Sequence, residues 1–342
     1  MKFAVFISAG IGNAIFLIPL FKALRKQGSV AAILASPFES EQIFQGFEDD
    51  YFDSSLDFRG STKTLSEVFF NIGSFDAVFM DYFSCSRRNI IASHFIASEI
   101  HCYQIPPNLP DFFKSKLTLH KLSIGEHEGL QNLGLHQPIN KKSALSNKSF
   151  ISKAKKNINR NLGEYITVQP GAGNNLTPWK IWDLKNWMGL FGKMALSHPK
   201  LKIILLGDSF DMQMTAYLKS ANDNVISLIN QTKLEELPPL LSEGIIHIGG
   251  DSGLLHIAGA VQTKTITIVG GSDPNIFGWH QIDYKKHRLV QNKLECHPCY
   301  RHYLPNQTRT SNPLNCPDFK CIRSITAEQV YNVFVELMQI KD

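Results

Sequence analysis

The sequence predicts an α/β fold made of two halves, each built on a buried parallel sheet. Two observations support this prediction. Continuous apolar strands alternate with helical stretches, a pattern typical of parallel sheets covered on both faces. The same alternation occurs a second time after a basic, Ser/Asn-rich segment at residues 141–161. We therefore expect two Rossmann-like domains facing a cleft, with ligands bound beyond the carboxyl ends of the strands.

The composition is that of an ordinary globular protein. The 342 residues include 43% hydrophobic and 19% charged side chains, with 23 glycines and 16 prolines. Disorder requires low hydrophobicity and high net charge, and collagen-like chains require far more glycine and proline, so both classes are excluded. A chain of this length is expected to divide into two domains.

The formal net charge of +5 is too small to predict nucleic-acid binding. The excess of positive charge is confined to two basic segments. Residues 129–163 carry seven basic and no acidic side chains, and residues 285–323 have a net charge of +6. The blocks 1–128 and 164–284 each have a net charge of −3. The basic segments are either solvated surfaces or contacts for an anionic partner.

In the first half, strands are predicted at 2–8, 30–34, 75–80 and 99–105, and helices near 14–27, 39–46, 62–72, 86–98 and 116–134. The stretch from Phe3 to Phe21 is uncharged and long enough to span a membrane. Gly10, Gly12 and Pro19 interrupt it, so we interpret it as a strand, a turn and a helix. No other segment is long enough to span, and the protein is therefore expected to be cytoplasmic.

In the second half, strands are predicted at 165–169, 201–206, 225–228, 244–248 and 265–269, and helices near 183–197, 210–221, 234–242 and 252–261. A tail helix is predicted at 326–339, because Val330, Val333, Phe334 and Leu337 form an apolar stripe. The expected organisation is two domains with a linker and a tail. Their ranges are an N-terminal domain at 1–140, a basic linker at 141–163, a C-terminal domain at 164–290, and a Cys-rich tail with its helix at 291–342.

Four loops at predicted strand ends carry the candidate ligand-binding residues. They contain, in chain order, Gly10, Gly12 and Asn13; Gly171, Ala172, Gly173 and Lys180; Asp208 and Asp211; and Asp251, Ser252, Gly253 and His256. Glycines allow a ligand to approach the backbone, a lysine attracts anions, and carboxylates accept hydrogen bonds from ribose hydroxyls. Asp251 and Ser252 are also expected to cap a helix whose N–H groups form a diphosphate site.

Other interpretations of these loops remain open. The first loop is also explained as a tight turn, and Asp208 as a helix N-cap. His256 faces either the ligand or the sheet. The loop before Lys180 is not a Walker motif, and Ile15 breaks the dinucleotide fingerprint. The sequence Gly-Asp-Ser-Gly at 250–253 is also a protease-type motif, but it lies between a strand and a helix, so a hydrolase is the least supported interpretation.

Together these motifs resemble glycosyltransferase family 9, the ADP-heptose-dependent heptosyltransferases and their relatives, over nearly the whole chain. The resemblance is carried by Gly-Ile-Gly-Asn at 10–13 followed by Pro19, by Val-Gln-Pro-Gly-Ala-Gly at 168–173 with Lys180, Trp182 and Trp187, by Gly-Asp-Ser-Gly-Leu-Leu-His-Ile-Ala at 250–258, and by the strand and loop at 265–274. The Asp-Ser-Gly-x-x-His-x-Ala block is the most specific of these.

The resemblance implies a GT-B fold, in which the first domain binds the acceptor and the second binds a nucleotide-diphosphate sugar similar to ADP-heptose. It implies sugar transfer with inversion, without a metal for the chemistry, to a bacterial surface glycan such as a lipopolysaccharide core, to a glycolipid or to a protein. By position, Lys180 matches the lysine that holds the donor phosphates and Asp211 the acidic residue at the ribose. Asp251, Ser252 and Gly253 match the diphosphate-binding turn. A phosphorylated lipid acceptor or the inner leaflet would then be the anionic partner of the basic segments.

One residue departs from the family pattern. Heptosyltransferases usually have an aspartate, the favoured general base, where this chain has Asn13. An amide does not take a proton from an acceptor hydroxyl, so another group must act as the base or Asn13 only positions the acceptor. Asp81, at the end of a predicted strand, is the first candidate for that base. The alternative function is a nucleotide-sugar-binding protein with impaired catalysis.

The tail contains four cysteines in the spacing C-x2-C-x16-C-x4-C, at Cys296, Cys299, Cys316 and Cys321. Four thiolates from two short loops suit a structural, tetrahedral zinc or iron site. Unligated thiols are the main alternative, and disulfides are a third. The resemblance adds that a four-cysteine iron finger occurs in related autotransporter heptosyltransferases. The other two cysteines, Cys85 and Cys102, are expected to be core residues.

Overall fold

The computed structural model describes residues 1–123, 125–137, 148–156, 162–172, 177–299 and 315–340. The chain divides into two compact units, Met1–Phe150 and Ile151–Asp342. Each unit contains a six-stranded sheet, in the order β3-β2-β1-β4-β5-β6 in the first and β12-β11-β10-β7-β8-β9 in the second. Counted within each unit, both orders are 3-2-1-4-5-6, the order of Rossmann dinucleotide-binding sheets. The predicted α/β class with two Rossmann-like sheets is confirmed.

The strands of the first unit are β1 (Lys2–Ile7), β2 (Ser29–Leu34), β3 (Ser54–Asp57), β4 (Phe75–Phe79), β5 (Ala97–Cys102) and β6 (Leu117–Leu119). Its helices are α1 (Ile11–Phe16), α2 (Ile18–Arg25), α3 (Ser61–Phe70), α4 (Arg87–Ile96) and α5 (Glu128–Gly134). Neighbouring strands are parallel throughout, for example β1 with β2 and β4. The helix predicted near 14–27 is divided at Leu17, and Pro19 lies in the first turn of α2. A proline is tolerated there because the first-turn N–H groups have no partner within the helix.

Two predictions for the first unit are wrong. The residues predicted as one helix at 116–134 form β6, a connection and then the short helix α5. The strand β3 was not predicted, because its sequence Ser-Ser-Leu-Asp has only one apolar residue. Both strands lie at the edges of the sheet, where one side of the strand has no neighbour and a continuous apolar run is not required.

The strands of the second unit are β7 (Tyr165–Val168), β8 (Lys202–Leu205), β9 (Val225–Ser227), β10 (Ile246–Gly249), β11 (Lys264–Val269) and β12 (His287–Gln291). Its helices are α6 (Leu184–Ser197), α7 (Thr215–Ala221), α8 (Leu237–Glu243), α9 (Gly253–Ala260), α10 (Pro274–Phe277), α11 (Lys320–Arg323) and α12 (Ala327–Gln339). The edge strand β12 was not predicted, because polar side chains interrupt its sequence His-Arg-Leu-Val-Gln.

The core of the second unit contains two tryptophans that follow Lys180 in the chain. Trp182 and Trp187 are both 1% exposed, and their ring centroids lie 4.9 Å apart at an interplanar angle of 77°. Trp182 donates to the carbonyl of Ile325 at 2.8 Å and Trp187 to that of Pro170 at 3.0 Å. Both tryptophans therefore pack in the core, and Trp187 also holds the start of the loop after β7.

The tail helix α12 packs against α6 and the edge formed by β11 and β12. It begins with a capping box between Thr326 and Gln329, and Val330, Phe334 and Leu337 are completely buried. The predicted apolar stripe is confirmed. α12 belongs to the second unit. Among the helices of the described residues, none has both the length and the apolar character that a membrane span requires.

Candidate active-site residues

The second unit places a buried ion pair between the loops that follow β7 and β10. Nζ of Lys180 lies 2.7 Å from Oδ2 of Asp251, and the two side chains are 13% and 5% exposed. These loops flank the point at which the strand order reverses, where open α/β sheets bind ligands. The lysine ammonium is thereby fixed in position and provides a defined positive charge at this edge of the sheet.

Two further side chains hold Asp251. Nε2 of His256 lies 3.3 Å from Oδ1 of Asp251, and Nε1 of Trp279 donates to Nδ1 of His256 at 3.2 Å. Because Nδ1 accepts from the indole, a neutral His256 carries its proton on Nε2 and donates it to the carboxylate. His256 is 4% exposed, and its two ring nitrogens face Asp251 and Trp279.

The predicted capping of the helix by the Ser252 side chain is not found. α9 begins at Gly253 and Ser252 is its N-cap residue, but the side chain makes no capping hydrogen bond. Its hydroxyl instead donates to Oε1 of Gln169, at the end of β7. This contact joins the two loops on either side of the reversal in strand order. The amide groups at the start of α9 are therefore not covered by the Ser252 side chain.

Glycine is needed at position 250 because the backbone of Lys180 approaches it closely. A Cβ atom there would lie 2.8 Å from the carbonyl oxygen of Lys180, which is closer than real Cβ contacts. The glycines of this loop were expected to let a ligand approach. At Gly250, the approaching group is the protein's own lysine-bearing turn, Pro178–Lys180.

Asp211 is tied to its own loop. Its carboxylate is 3% exposed and accepts from the N–H of Asp208 at 3.3 Å. It fills the positions that side chains of Gly171 and Gly207 would occupy, and Gly207 has a φ of +150°. Of the two predicted ribose acceptors, only Asp208 is partly exposed. Ala172 is buried, and Gly173 lies outside the described residues.

The first unit brings Asn13 together with a residue that was not predicted. Nδ2 of Asn13, in α1, donates to Oε1 of Glu128 at 2.6 Å across 115 residues of sequence. Glu128 is the first residue of α5 and is 3% exposed, whereas Asn13 is partly exposed. Gly10 precedes α1 as its N-cap, and a Cβ there would meet nothing within 4 Å. The loop with Gly10 and Gly12 thus leads directly to the amide–carboxylate pair.

Asp81 lies at the end of β4, as predicted, but it is enclosed. Its carboxylate is 2% exposed and accepts hydrogen bonds from the N–H of Ser84, at 2.8 Å, and from the Ser84 hydroxyl. Burial raises the pKa of Asp81 to about 6, and the bonds from Ser84 partly offset that effect. A carboxyl with this pKa suits a general base near neutral pH, but its bonds to Ser84 and its burial separate it from a substrate.

The four tail cysteines line one cavity of about 270 Å³. Trp179, the residue before Lys180, and the segment Asn315–Lys320 line it as well. Burial and the neighbouring cysteines raise the pKa of the Cys321 thiol to about 11. The sulfur donor set has the chemistry for a soft metal ion. Within the described part of the chain, however, no three His, Cys, Asp or Glu side chains are gathered closely enough to hold an ion.

The model of glycosyltransferase family 9 (heptosyltransferase) matches residues 116–308, which is more than half of the chain. The chain belongs to glycosyltransferase family 9. It is therefore a glycosyltransferase, as expected from its motifs. A comparison with curated proteins finds no match to the sequence.

Solved structures confirm the fold of this family 9 protein. It is similar to the E. coli ADP-heptose LPS heptosyltransferase II, with a TM-score of 0.75, 14% identity and 99% of both chains covered. It is similar to E. coli heptosyltransferase WaaC with ADP, with a TM-score of 0.69, 14% identity and coverage of 98% of this chain and 100% of that one. The iron-containing dodecameric glycosyltransferase TibC from enterotoxigenic E. coli H10407 has a TM-score of 0.56 at 14% identity, with 99% of this chain and 78% of that one covered.

In each unit of the glycosyltransferase, the structure thus gives some of the predicted site residues defined partners. It brings together Lys180, Asp251 and His256, and it packs the carboxylate of Asp211 against Gly171 and Gly207. Gln169, Trp279 and Glu128 were missed. Gln169 is the last residue of a predicted strand, so the rule that ligands bind at strand ends could have found it. Nothing in the local sequence marks Trp279 or Glu128.

Proposed function

We propose that this family 9 glycosyltransferase transfers a heptose or a related sugar, with inversion, from a nucleotide-diphosphate donor similar to ADP-heptose. The acceptor in this proposal is a bacterial surface glycan such as a lipopolysaccharide core, a glycolipid or a protein. The observation that carries the proposal is the Lys180–Asp251 pair at the reversal point of the second sheet. Support comes from WaaC, whose structure contains ADP.

The chemistry of this site matches a diphosphate leaving group. When the bond from the anomeric carbon to the diphosphate breaks, negative charge grows on the phosphate oxygens. In this proposal, the ammonium of Lys180 and the amide groups at the start of α9 stabilise that charge. Inversion follows when the acceptor oxygen attacks from the face of the sugar opposite to the diphosphate.

The test is a panel of nucleotide sugars offered with candidate acceptors, measuring release of nucleoside diphosphate. Lys180→Ala should weaken donor binding at least about tenfold, because it removes a charge-assisted contact. Lys185→Ala is the matched control, since Lys185 is an exposed lysine on α6. Donor binding that is unchanged in Lys180→Ala would remove the assignment of the donor site.

The alternative function is nucleotide-sugar binding without transfer, and Asn13 is the observation that favours it. An amide at this position lacks the basicity of the aspartate that heptosyltransferases usually have there. Donor binding without release of nucleoside diphosphate, for every donor and acceptor in the panel, is the result that this alternative predicts.

We also propose that the four-cysteine cavity holds one structural zinc or iron ion. Four sulfurs on a single cavity support this proposal, and iron is present in TibC. Such a site has no open position, so the ion would hold the tail and take no part in the transfer. Elemental analysis of purified protein should give about one metal ion per chain. A metal content well below one ion per chain that does not change in Cys321→Ser would refute the proposal.

The basic segments are proposed to contact an anionic acceptor or the inner leaflet. Lys153, Lys155 and Lys156 are exposed, whereas most of the remaining basic residues of 129–163 lie outside the described residues. Added salt should weaken binding to anionic vesicles more than it weakens nucleotide binding, because exposed charges are screened. An equal response of both would leave the segments as solvated surfaces.

A further inference from the structure

The hydrogen bond between Asn13 and Glu128 gives the first unit a carboxylate next to the position where the loop after β1 lacks one. The donor is Nδ2 of Asn13 and the acceptor is Oε1 of Glu128, 2.6 Å apart. An ionised carboxylate only accepts hydrogen bonds, which fixes the orientation of the amide. Because the amide group is planar, Oδ1 of Asn13 points away from Glu128.

The surroundings hold this pair firmly. Nδ2 of Asn132, in α5, donates to the carbonyl of Phe16, the last residue of α1, at 3.1 Å. His127, the N-cap residue of α5, packs edge-on against Phe16 with ring centroids 5.1 Å apart. α1 and α5, which carry the two members of the pair, are therefore tied together at a second and a third point. Glu128 is almost completely buried, whereas Asn13 is partly exposed, so a substrate reaches Asn13 first.

We infer that Glu128 takes up the proton of the acceptor hydroxyl through the amide of Asn13, so that the pair replaces a single carboxylate base. This inference rests on the proposed transfer reaction. Glu128 does not touch the acceptor. It acts through Asn13, as a positioning residue that holds the proton. Asn13 is the group that touches the acceptor.

The proton and electron balance is complete. The amide alone is too weak a base, so the two transfers are coupled: the acceptor O–H bond breaks as its proton moves to Oδ1 of Asn13, and an Nδ2 proton moves to Oε1 of Glu128 in the same step, with no net proton gained by Asn13. The acceptor oxygen forms a bond to the anomeric carbon, and the carbon–oxygen bond to the diphosphate breaks with its electron pair on the phosphate oxygen. The amide is restored when Oδ1 loses its proton to water and Glu128 returns one to Nδ2.

The test exchanges the amide and the carboxylate. Glu128→Gln keeps a hydrogen bond to Asn13 but removes the base, so kcat should fall by about 10² to 10⁴, with the donor Kd and the acceptor KM nearly unchanged. The double variant Asn13→Asp/Glu128→Gln places the carboxylate at the partly exposed position. Its kcat should be at least about tenfold higher than that of Glu128→Gln. Glu126→Gln is the matched control, because it makes the same change two residues earlier.

The outcomes separate this inference from the proposed function. If the wild type and Glu128→Gln release nucleoside diphosphate at equal rates, the inference fails and the transfer function stands. A loss of turnover in Asp81→Asn, with Glu128→Gln active, would make Asp81 the base and would also overturn it. If the wild type binds donors but transfers no sugar, the proposed function fails and the inference fails with it. Correct folding of each variant is checked by circular dichroism.

Discussion

The two units share one strand order but have different side chains at the point where that order reverses. In the second unit, Lys180 and Asp251 form a buried ion pair, supported by His256 and Trp279. In the first unit, α1, which follows β1, carries the amide of Asn13, which donates a hydrogen bond to the carboxylate of Glu128. The comparison teaches that the topology determines where a ligand binds, whereas the residues at the strand ends determine the chemistry.

The difference matches the two halves of the proposed reaction. A departing diphosphate gains negative charge and needs a fixed cation with N–H donors. An attacking hydroxyl loses a proton and needs a carboxylate within reach, directly or through one hydrogen-bonded group. In the proposed reaction, the second unit supplies the cation for the departing diphosphate and the first unit supplies the carboxylate for the attacking hydroxyl.

The largest effect is expected from breaking the ion pair of the second unit. Lys180→Ala leaves the buried Asp251 without its cation and should lower the free energy of unfolding by about 3–5 kcal/mol. The double variant Lys180→Ala/Asp251→Asn removes both charges and should lose less. Unfolding of the second unit is followed by tryptophan fluorescence, because all four tryptophans (Trp179, Trp182, Trp187 and Trp279) lie in it.

The first unit supplies the contrast for this experiment. Glu128→Gln retains a hydrogen bond to Asn13 and leaves no unpaired charge, so it should change stability by about 1 kcal/mol or less. Circular dichroism measures this effect, because the tryptophans do not report on the first unit. Equal losses in Lys180→Ala and Glu128→Gln would mean that the two units do not differ in the way described.

The second effect is a pH dependence of the stability of the second unit. Burial lowers the pKa of His247 to about 3 and that of His287 to about 4, below the ordinary 6.5. Below pH 6.5, these two histidines therefore bind protons in the unfolded chain but not in the folded second unit. Its free energy of unfolding should fall by about 1.4 kcal/mol per pH unit for each histidine as the pH falls toward 4.5. Urea titrations at pH 7 and pH 5, followed by fluorescence, test this.

Asp81 in the first unit contributes with the opposite sign, whereas the first-unit residues His94, His101, His120 and His136, whose pKa values burial lowers, contribute with the same sign as His247 and His287. The folded pKa of Asp81, about 6, lies above the ordinary 3.8, so the folded state binds a proton that the unfolded chain does not between these values. Its contribution to stability is present below pH 3.8 and is lost as the pH rises through 6.

His247→Gln removes one of the two histidines of the second unit. The free energy of unfolding measured by fluorescence should then depend less steeply on pH, by about one bound proton, or about 1.4 kcal/mol per pH unit, and an unchanged slope would contradict the prediction.

The sequence was sufficient for the parts of the fold and site that are local in the chain. Lys180, Asp251 and His256 lie in glycine-containing loops after apolar strands, so their pattern could be recognised. The edge strands β3 and β12 are short or polar and gave no such pattern. The partner of Asn13 is 115 residues away, and a single sequence does not show contacts between distant residues.

The third effect tests the close approach of Lys180 to the loop after β10. Gly250→Ala adds a Cβ 2.8 Å from the Lys180 carbonyl oxygen, and backbone atoms do not yield easily. We expect a loss of about 1–3 kcal/mol in the fluorescence transition, together with weaker donor binding. Gly10→Ala is the corresponding change in the first unit, where the added Cβ meets nothing within 4 Å. If both variants lose stability equally, the approach does not constrain Gly250.

The smallest effect should be a gain in stability rather than a loss. Gly192 lies inside α6, and a Cβ there would meet nothing within 4 Å. Alanine has less conformational freedom than glycine in the unfolded chain and is the better helix former, so Gly192→Ala should raise the stability of the second unit by about 0.5–1 kcal/mol. The fluorescence transition measures it, and donor binding should not change. A loss of stability in Gly192→Ala would mean that the loss in Gly250→Ala is not specific to the contact with Lys180.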